Sequence, residues 1–322
     1  MKNISDEKLQ LLEQQYGCYV KILDLKKLSH SQMDYLLVKD NFSLYYVIGC
    51  TIFALLNIGA NSLLIYGLFK TTKKLTLGNK LFIYLSCTDL LSGVVLMPML
   101  IYYRTYGVNC IYMALTLFVI AYTVIADSLI LLTISMVRLA TIQNPLNSHN
   151  QLKKVKLMII FQVVFALAAG SVFFYCHFYG SDVFSFQVIG VFANTCSLGL
   201  SLAILVCVSR SLLMLQRYKR SNSCIFTEAQ LLNHRKSASS LLFIGLMMVM
   251  FMLIQAPMYL FLHIKLNDQR ISAGKPSRES FKDTQNFMDI KLLVGQLNTI
   301  TNAFVIIGRT KKIRKCLVDI CR

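Results

Sequence analysis

Tryptophan is absent from this chain, proline occurs only four times in 322 residues, and charged side chains make up just 15%. The scarcity of charge decides most. An ordinary soluble globule covers its core with a surface that brings charged residues to about a quarter of the total. Here 56% of residues are hydrophobic and the mean hydropathy is +0.57, the composition of a membrane protein. Histidine is also sparse, at five. They form no cluster, and no nucleophile falls near a plausible base, which points away from an enzyme. The opening Met1-Lys-Asn-Ile-Ser-Asp-Glu has no apolar run of the kind a cleavable leader carries, so the first apolar span is expected to act as its own signal anchor.

What the chain does have is long stretches without charge. Apart from Asp89 and Asp127, no charged residue interrupts Leu44–Phe69, Leu81–Tyr103, Thr105–Val137, Leu157–Ser181, Val183–Ser209, Ser237–Ile264 or Leu292–Gly308. A helix needs about 20 apolar residues to cross a bilayer, so these predict seven spans. The last holds only 17 charge-free residues and is extended back towards Phe287. The expected fold is all-α, a seven-transmembrane helix bundle with a short amphipathic C-terminal helix. It divides into an outer tail at 1–43, the bundle at 44–308 and an inner helix at 309–322.

The formal charge of +18 is placed unevenly. If the tail lies outside, the tail and outer loops sum to +2, and the inner segments to +18. That asymmetry fixes the orientation, because Lys and Arg stay on the cytoplasmic side. The bases sit in short blocks suited to anionic lipid, so the basic balance requires no nucleic-acid partner. Two glycosylation acceptors, Asn3-Ile4-Ser5 and Asn41-Phe42-Ser43, both fall in the tail, with Asn41 close to the membrane. Of ten cysteines, Cys18, Cys110 and Cys176 fall on the outer, oxidising side. Cys110 opens the third span and Cys176 closes the fourth, so both reach one rim and are taken as a disulfide, with Cys18 a competing partner.

The third span organises the rest. Asp127 lies near mid-membrane and Arg138 eleven residues on, roughly 16 Å along one helical face. An ionisable residue inside a bilayer costs a few kcal/mol and marks a functional site by default. Asp89 in the second span is another such acid. Two inward carboxylates cannot both ionise cheaply, so they share a proton or hold a cation between them. Pro98 is expected to kink the second span and Pro257 to pivot the sixth. In the seventh, Asn298, Thr301 and Asn302 recur at i, i+3, i+4 and give one polar face. Beyond it, Ile313, Cys316, Leu317, Ile320 and Cys321 form an apolar stripe among Lys311, Lys312, Arg314 and Lys315, an interfacial helix with Cys316 and Cys321 as candidate palmitoylation sites.

Taken in order, these residues resemble the rhodopsin-like (class A) family of G-protein-coupled receptors, over nearly the whole chain from Asn61 to Leu317. Asn61 matches the family's Asn of the first helix, and Leu85 to Leu90 with Asp89 its LxxxDL acid. Arg138 followed by Pro145-Leu146 matches the end of its third helix, Phe251 and Pro257 its FxxCWxP, and Leu297, Asn298 and Asn302 its LNxxxNPxxY. The departures are as informative. Val137 and Leu139 stand where the family has an acid and a Tyr, Ala303 and Ile306 replace the Pro and Tyr of the seventh helix, and Gln255 replaces the sixth-helix Trp. Cys110 lies 28 residues before Arg138, where the family usually has 25. The pattern is that of a divergent, lineage-specific receptor.

The resemblance implies a multi-pass plasma-membrane receptor, its N-terminus outside, that couples an extracellular ligand to a heterotrimeric G protein. Asn61, Arg138 and Pro257 would serve activation and coupling. Family members often hold a sodium ion at the positions of Asp89, Asn298 and Asn302; Asp127, standing where many have Ser, adds an acid to that set. No other cofactor is implied. Aminergic relatives carry an Asp where this chain has Ile120, and opsins a retinal-binding Lys where it has Gln296, so both ligand classes lose weight. Two other readings stand beside it. One is a non-signalling binding or decoy receptor; the other is a secondary transporter, disfavoured because no internal repeat or broken helix is visible.

Overall fold

The computed structural model describes residues 44–71, 77–106, 110–143, 148–179, 183–220, 227–271, 293, 297–308 and 310–321; within its helices, the side chains at 103–111, 148–154, 176–179, 183–194 and 254–271 are among those left outside the description. The described residues are helical almost throughout and include no strand. In chain order the helices are α1 (Leu44–Thr71), α2 (Leu77–Leu91), a π-helical turn (Ser92–Leu96), α3 (Met97–Tyr106), α4 (Cys110–Gln143), α5 (Ser148–Tyr179), α6 (Val183–Arg220), α7 (Glu228–Ile271), α8 (Leu297–Gly308) and α9 (Lys311–Cys321).

Among the described residues, five segments are long and apolar enough to cross a membrane: Leu44–Thr71, Leu77–Tyr102, Ala114–Gln143, Val155–Tyr175 and Thr195–Arg220. Continuous helix is what an apolar solvent demands, because every backbone group must bond within its own segment. The chain is therefore a membrane-embedded helical protein. The expected sixth and seventh spans fall on α7, which runs 44 residues, and on the shorter α8. The large apolar side chains of α1 and α5 face outward, among them Leu55, Leu157 and Phe161, each more than 60% exposed, as a lipid-facing surface requires.

α4 is the hub and packs against α2, α5, α6 and α7. Its Ile130, Leu131 and Ile134 lie at the centre of the main apolar core, with Leu64, Leu81, Leu85, Ile204, Leu241 and Ile306 from the surrounding helices. A second, smaller cluster joins Tyr46 and Cys50 of α1 to Leu96, Met97 and Leu100, with Ile120 packed against it. Small residues set the closest crossings. A methyl group at Gly170 would fall 2.9 Å from the Phe118 ring, and one at Gly67 would fall 2.6 Å from Cγ2 of Ile313, so α9 seats its fully buried Ile313 against α1. Lys311, Lys312, Arg314 and Lys315 are exposed around it, as the stripe in the sequence required. α4 ties to α5 through Gln162, whose Nε2 donates to the Leu129 carbonyl (2.9 Å) and to Thr133 Oγ1.

Three boundaries differ from the sequence expectation. Thr105, read there as the start of the third span, closes α3, and α4 begins at Cys110; absence of charge does not register the end of a helix. The disturbance expected at Pro98 lies just before it, in the π turn, where Met97 N–H reaches back five residues to Ser92 O. Proline cannot donate and its ring crowds the carbonyl four residues earlier, that of Val94; the wider turn relieves both. Finally, α6 runs eleven residues past Ser209 and α7 starts nine before Ser237. Thr227 and Gln230 cap that start reciprocally, Thr227 N–H donating to Gln230 Oε1 (3.0 Å) and Gln230 N–H to Thr227 Oγ1 (3.3 Å). The capped helix carries the Lys- and Arg-rich end of the fold beyond the apolar run.

Candidate functional site

Most hydroxyls in these helices are spent locally. Thr88, Thr116, Thr123, Ser128, Ser135 and Thr301 each donate to the carbonyl one turn back, the usual way a hydroxyl is satisfied in an apolar medium. Ser86 and Ser92 do not. They stand three residues before and three after Asp89, on its own face, across the junction of α2 with the π turn. Among the described residues, Gln162 Oε1 on α5 and Ser197 Oγ on α6 are buried without a partner as well.

Asp89 is fully buried and faces the Asp127 carboxyl and the Asn302 side chain, so α2, α4 and α8 meet there. Asp127 and Asn302 are buried as well, at 4% and 1% exposure. α1 contributes Asn61, whose Nδ2 donates to Asn57 Oδ1 (2.9 Å) and to the Asn57 carbonyl (3.1 Å). Asn57 in turn donates to Thr299 Oγ1 on α8 (2.8 Å). The approach of α1 to the π turn is close because residue 93 is glycine: a Cβ there would meet Asn57 and Ile58 at 3.3 and 3.1 Å.

Among the described residues, both Asp89 oxygens, Asp127 Oδ1, Asn61 Oδ1, Asn298 Oδ1, Asn302 Oδ1, Ser86 Oγ and Ser92 Oγ are buried without a hydrogen-bond partner. Unpaired buried polar atoms cost about 1–3 kcal/mol each, and a proton held between the Asp89 and Asp127 carboxyls would partner two of these oxygens. All are hard oxygen donors. They fit a small hard cation, or a proton shared between the acids with a cation beside it. Of the residues expected here, Asp89, Asp127 and Asn302 are brought together, with Asn298 one turn from Asn302 on α8; Asn61 is buried on α1 and bonded to Asn57. Asn57 and Thr299 are additions. The signal for Asn57 was its spacing of four from Asn61; Thr299 lay next to Asn298 but off the expected polar face.

Arg138 sits apart, at the basic end. Its guanidinium packs on the first turn of α2, 3.2 Å from where a Cβ on Gly78 would lie, and its charge reaches His234 of α7. Among the described residues no carboxylate acts on it. Burial, and after it the positive charge of Arg138, hold the His234 imidazole below its ordinary value of 6.5. Glu228 does belong to the same helix as His234, but lines a groove of about 400 Å³ between α6 and α7, with Lys219, Leu215 and Arg235. Cys316 is half-buried on α9. The side chains of Cys110, Cys176, Pro257 and Cys321, and residues Asn3 and Asn41, lie outside the described residues.

No protein-family model matches the chain, and no curated protein matches it significantly. The functional reading rests on the residues themselves.

Proposed function

We propose that this chain is a divergent rhodopsin-like seven-helix receptor of the plasma membrane, its N-terminus outside, converting an extracellular ligand into movement of the basic end of α7 and so activating a heterotrimeric G protein. The observation that carries this reading is the meeting of buried Asp89, Asp127 and Asn302, drawn from α2, α4 and α8, with Asn61 buried on α1, at positions that match the family's ordered motifs. A site built from several helices senses their relative placement. Any ligand or ion that prefers one arrangement shifts the population between them. Asp89, Asp127, Asn298 and Asn302 would hold a sodium ion or a shared proton, Pro257 would give α7 its pivot, and Arg138 would meet the G protein. Cys110 and Cys176 would close the outer rim as a disulfide, Asn3 and Asn41 would carry glycans, and Cys316 and Cys321 would take acyl chains.

Ile120 packs in an apolar cluster with Tyr46, Leu96 and Met97, which supports a ligand other than a cationic amine. The ligand class is otherwise open. A decoy receptor is the second reading. It is favoured by Val137, and by the absence among the described residues of a carboxylate acting on Arg138, since both alter the coupling end and leave the fold intact.

The deciding experiment is ligand-free G-protein activation in cells at verified surface expression, with Arg138→Ala as control. A signal that Arg138→Ala abolishes supports the receptor. A signal indistinguishable from untransfected cells with every G-protein class supports the decoy.

A further inference from the structure

We infer that the groove between α6 and α7 is half of a two-fold interface, and that its occupant is a second copy of this chain. The groove, of about 400 Å³, forms where both helices run past their apolar stretches, α6 beyond Ser209 and α7 before Ser237. Leu212, Leu215 and Lys219 line it from α6 at i, i+3, i+7, and Glu228, Leu231 and Arg235 line it from α7 at the same spacing. Each helix therefore turns towards the opening a stripe of the kind that packs on another helix. Leu232, beside Leu231, also lines the groove and is 52% exposed.

Leucines at this height need a cover that acyl chains do not provide. Leu212 and Leu215 fall between exposed Arg210 and Arg217, and Leu231 and Leu232 between exposed Glu228 and Arg235, so charge on both sides sets them among headgroups and water. An open apolar groove there marks a protein partner, and the charges say which. Lys219 lies in the last turn of α6 and Glu228 in the first turn of α7, so both stand at the tip of this packed, antiparallel pair. Neither is in an ion pair among the described residues. Two copies enter a membrane the same way up, so a two-fold axis between them runs along its normal and keeps every residue at its own height. Docking α6 of one copy on α7 of the other then sets Lys219 opposite Glu228 twice, Leu215 opposite Leu231, and Leu212 against the aliphatic stem of Arg235. The surface complements itself. An anionic lipid, by contrast, would meet the Glu228 carboxylate on the same rim.

The interface is independent of the receptor reading, because association needs neither an extracellular ligand nor a G protein. The test uses the full chain in phosphatidylcholine vesicles, with donor and acceptor fluorophores on separate copies and energy transfer as the measure of association. An exposed ion pair shifts such an equilibrium by no more than about fivefold. Lys219→Glu or Glu228→Lys removes two pairs and installs two repulsions, so each should associate about tenfold more weakly than the parent. Leu232→Gln changes an exposed side chain and should weaken association without unfolding the monomer, whereas Phe161→Ala on the outward face of α5 should leave association intact.

The deciding arm mixes the two charge variants. Lys219→Glu chains meeting Glu228→Lys chains bring opposite charges together at both contacts, so mixed vesicles should recover the energy transfer of the parent. A role within one chain, or a folding defect, does not recover in trans. A parent that stays monomeric as its density in the bilayer rises, equal association of the parent and both single charge variants, or a mixture no better than its components would each overturn the inference. So would stabilisation of a monomeric parent by phosphatidylglycerol that is lost in Lys219→Gln/Arg235→Gln, which would give the groove to a lipid.

Discussion

Asn57 of α1 donates from Nδ2 to Thr299 Oγ1 of α8 across 2.8 Å, joining positions 242 residues apart in a buried setting. The same Asn57 accepts from Asn61 through both its side-chain and its backbone oxygen. Asn57 therefore both bonds Asn61 and joins α1 to α8.

Removing the Asn57 side chain takes from Asn61 its 2.9 Å bond, leaving the one to the residue-57 carbonyl at 3.1 Å, and takes from Thr299 Oγ1 the donor on α1; removing the Thr299 hydroxyl takes only the acceptor of Asn57 Nδ2. A buried hydrogen bond contributes about 0.5–1.5 kcal/mol net, and Asn57→Ala removes two side-chain bonds where Thr299→Val removes one, so Asn57→Ala should lower stability by more than Thr299→Val. Thermal unfolding of both variants in the same detergent tests this. Equal losses would show that Asn61 does not depend on Asn57.

A second expectation concerns the acids. If Asp89 and Asp127 share one proton or hold one sodium ion, the pair is left in either case with a single net negative charge, and its two members are not equivalent. Asp89 is closed on both oxygens and also faces Asn302, while only Oδ1 of Asp127 is buried and unpartnered. Asp89→Asn should therefore abolish any sodium-dependent rise in melting temperature, and Asp127→Asn should fold well and keep part of it. A parent protein whose stability and ligand affinity ignore sodium, along with both variants, leaves only the shared proton.

Much of this arrangement was legible in the sequence, for reasons of cost. A mid-membrane acid needs partners, so Asp89 and Asp127 announced a site before any helix was placed. The alternation of Ile313 and Cys316 with four bases likewise announced α9, since no other geometry hides Ile313 and exposes Lys312. What the sequence did not convey was register. Charge-free runs overstate spans where a helix changes without a charge, as at Thr105, and understate them where a capped helix continues into water, as from Ser237 back to Glu228. The π turn was hidden too, because Pro98 states that a carbonyl loses its donor but not how the chain absorbs the loss. Nor does spacing reveal that His234, rather than an acid, lies within reach of the Arg138 charge; that proximity needs the extension of α7.

The third prediction follows from that proximity. His234 lies outside the apolar run, with its imidazole held below its ordinary 6.5 by burial first and Arg138 second. Arg138 is the charged group that acts on it among the described residues; Arg235 and Lys236 beside it on α7 are exposed. A histidine depressed in the folded state costs nothing well above 6.5. As pH falls below that value the unfolded chain takes the proton first, so the folded arrangement loses stability until pH passes the depressed folded value. In phosphate-free buffer the parent should lose more melting temperature between pH 7.5 and 5.5 than His234→Gln does. Parallel pH profiles would mean that His234 does not titrate against Arg138.

Basal signalling is the last expectation, and it rests on the proposed receptor function. In the family resembled, an acid beside the Arg that ends the third helix restrains it and favours the inactive state. Here that neighbour is Val137, a half-buried residue packed against the apolar core. The extension of α7 to Glu228 brings an acid onto the right helix, but that carboxylate lies in the groove with Lys219 and Arg235. Loss of a partly solvated ion pair is worth about 1–3 kcal/mol, enough to raise an active state from roughly 1% to some tens of per cent. Ligand-free activity should therefore be high, and Val137→Asp should reduce it by restoring the restraint along α4. Gly78→Asp should reduce it independently, by restraining the same guanidinium from α2. The measurement is ligand-free G-protein activation at matched surface expression. Negligible activity in the parent, unchanged by either substitution, would mean that packing alone holds the basic end closed and that Arg138 needs no partner to stay inactive.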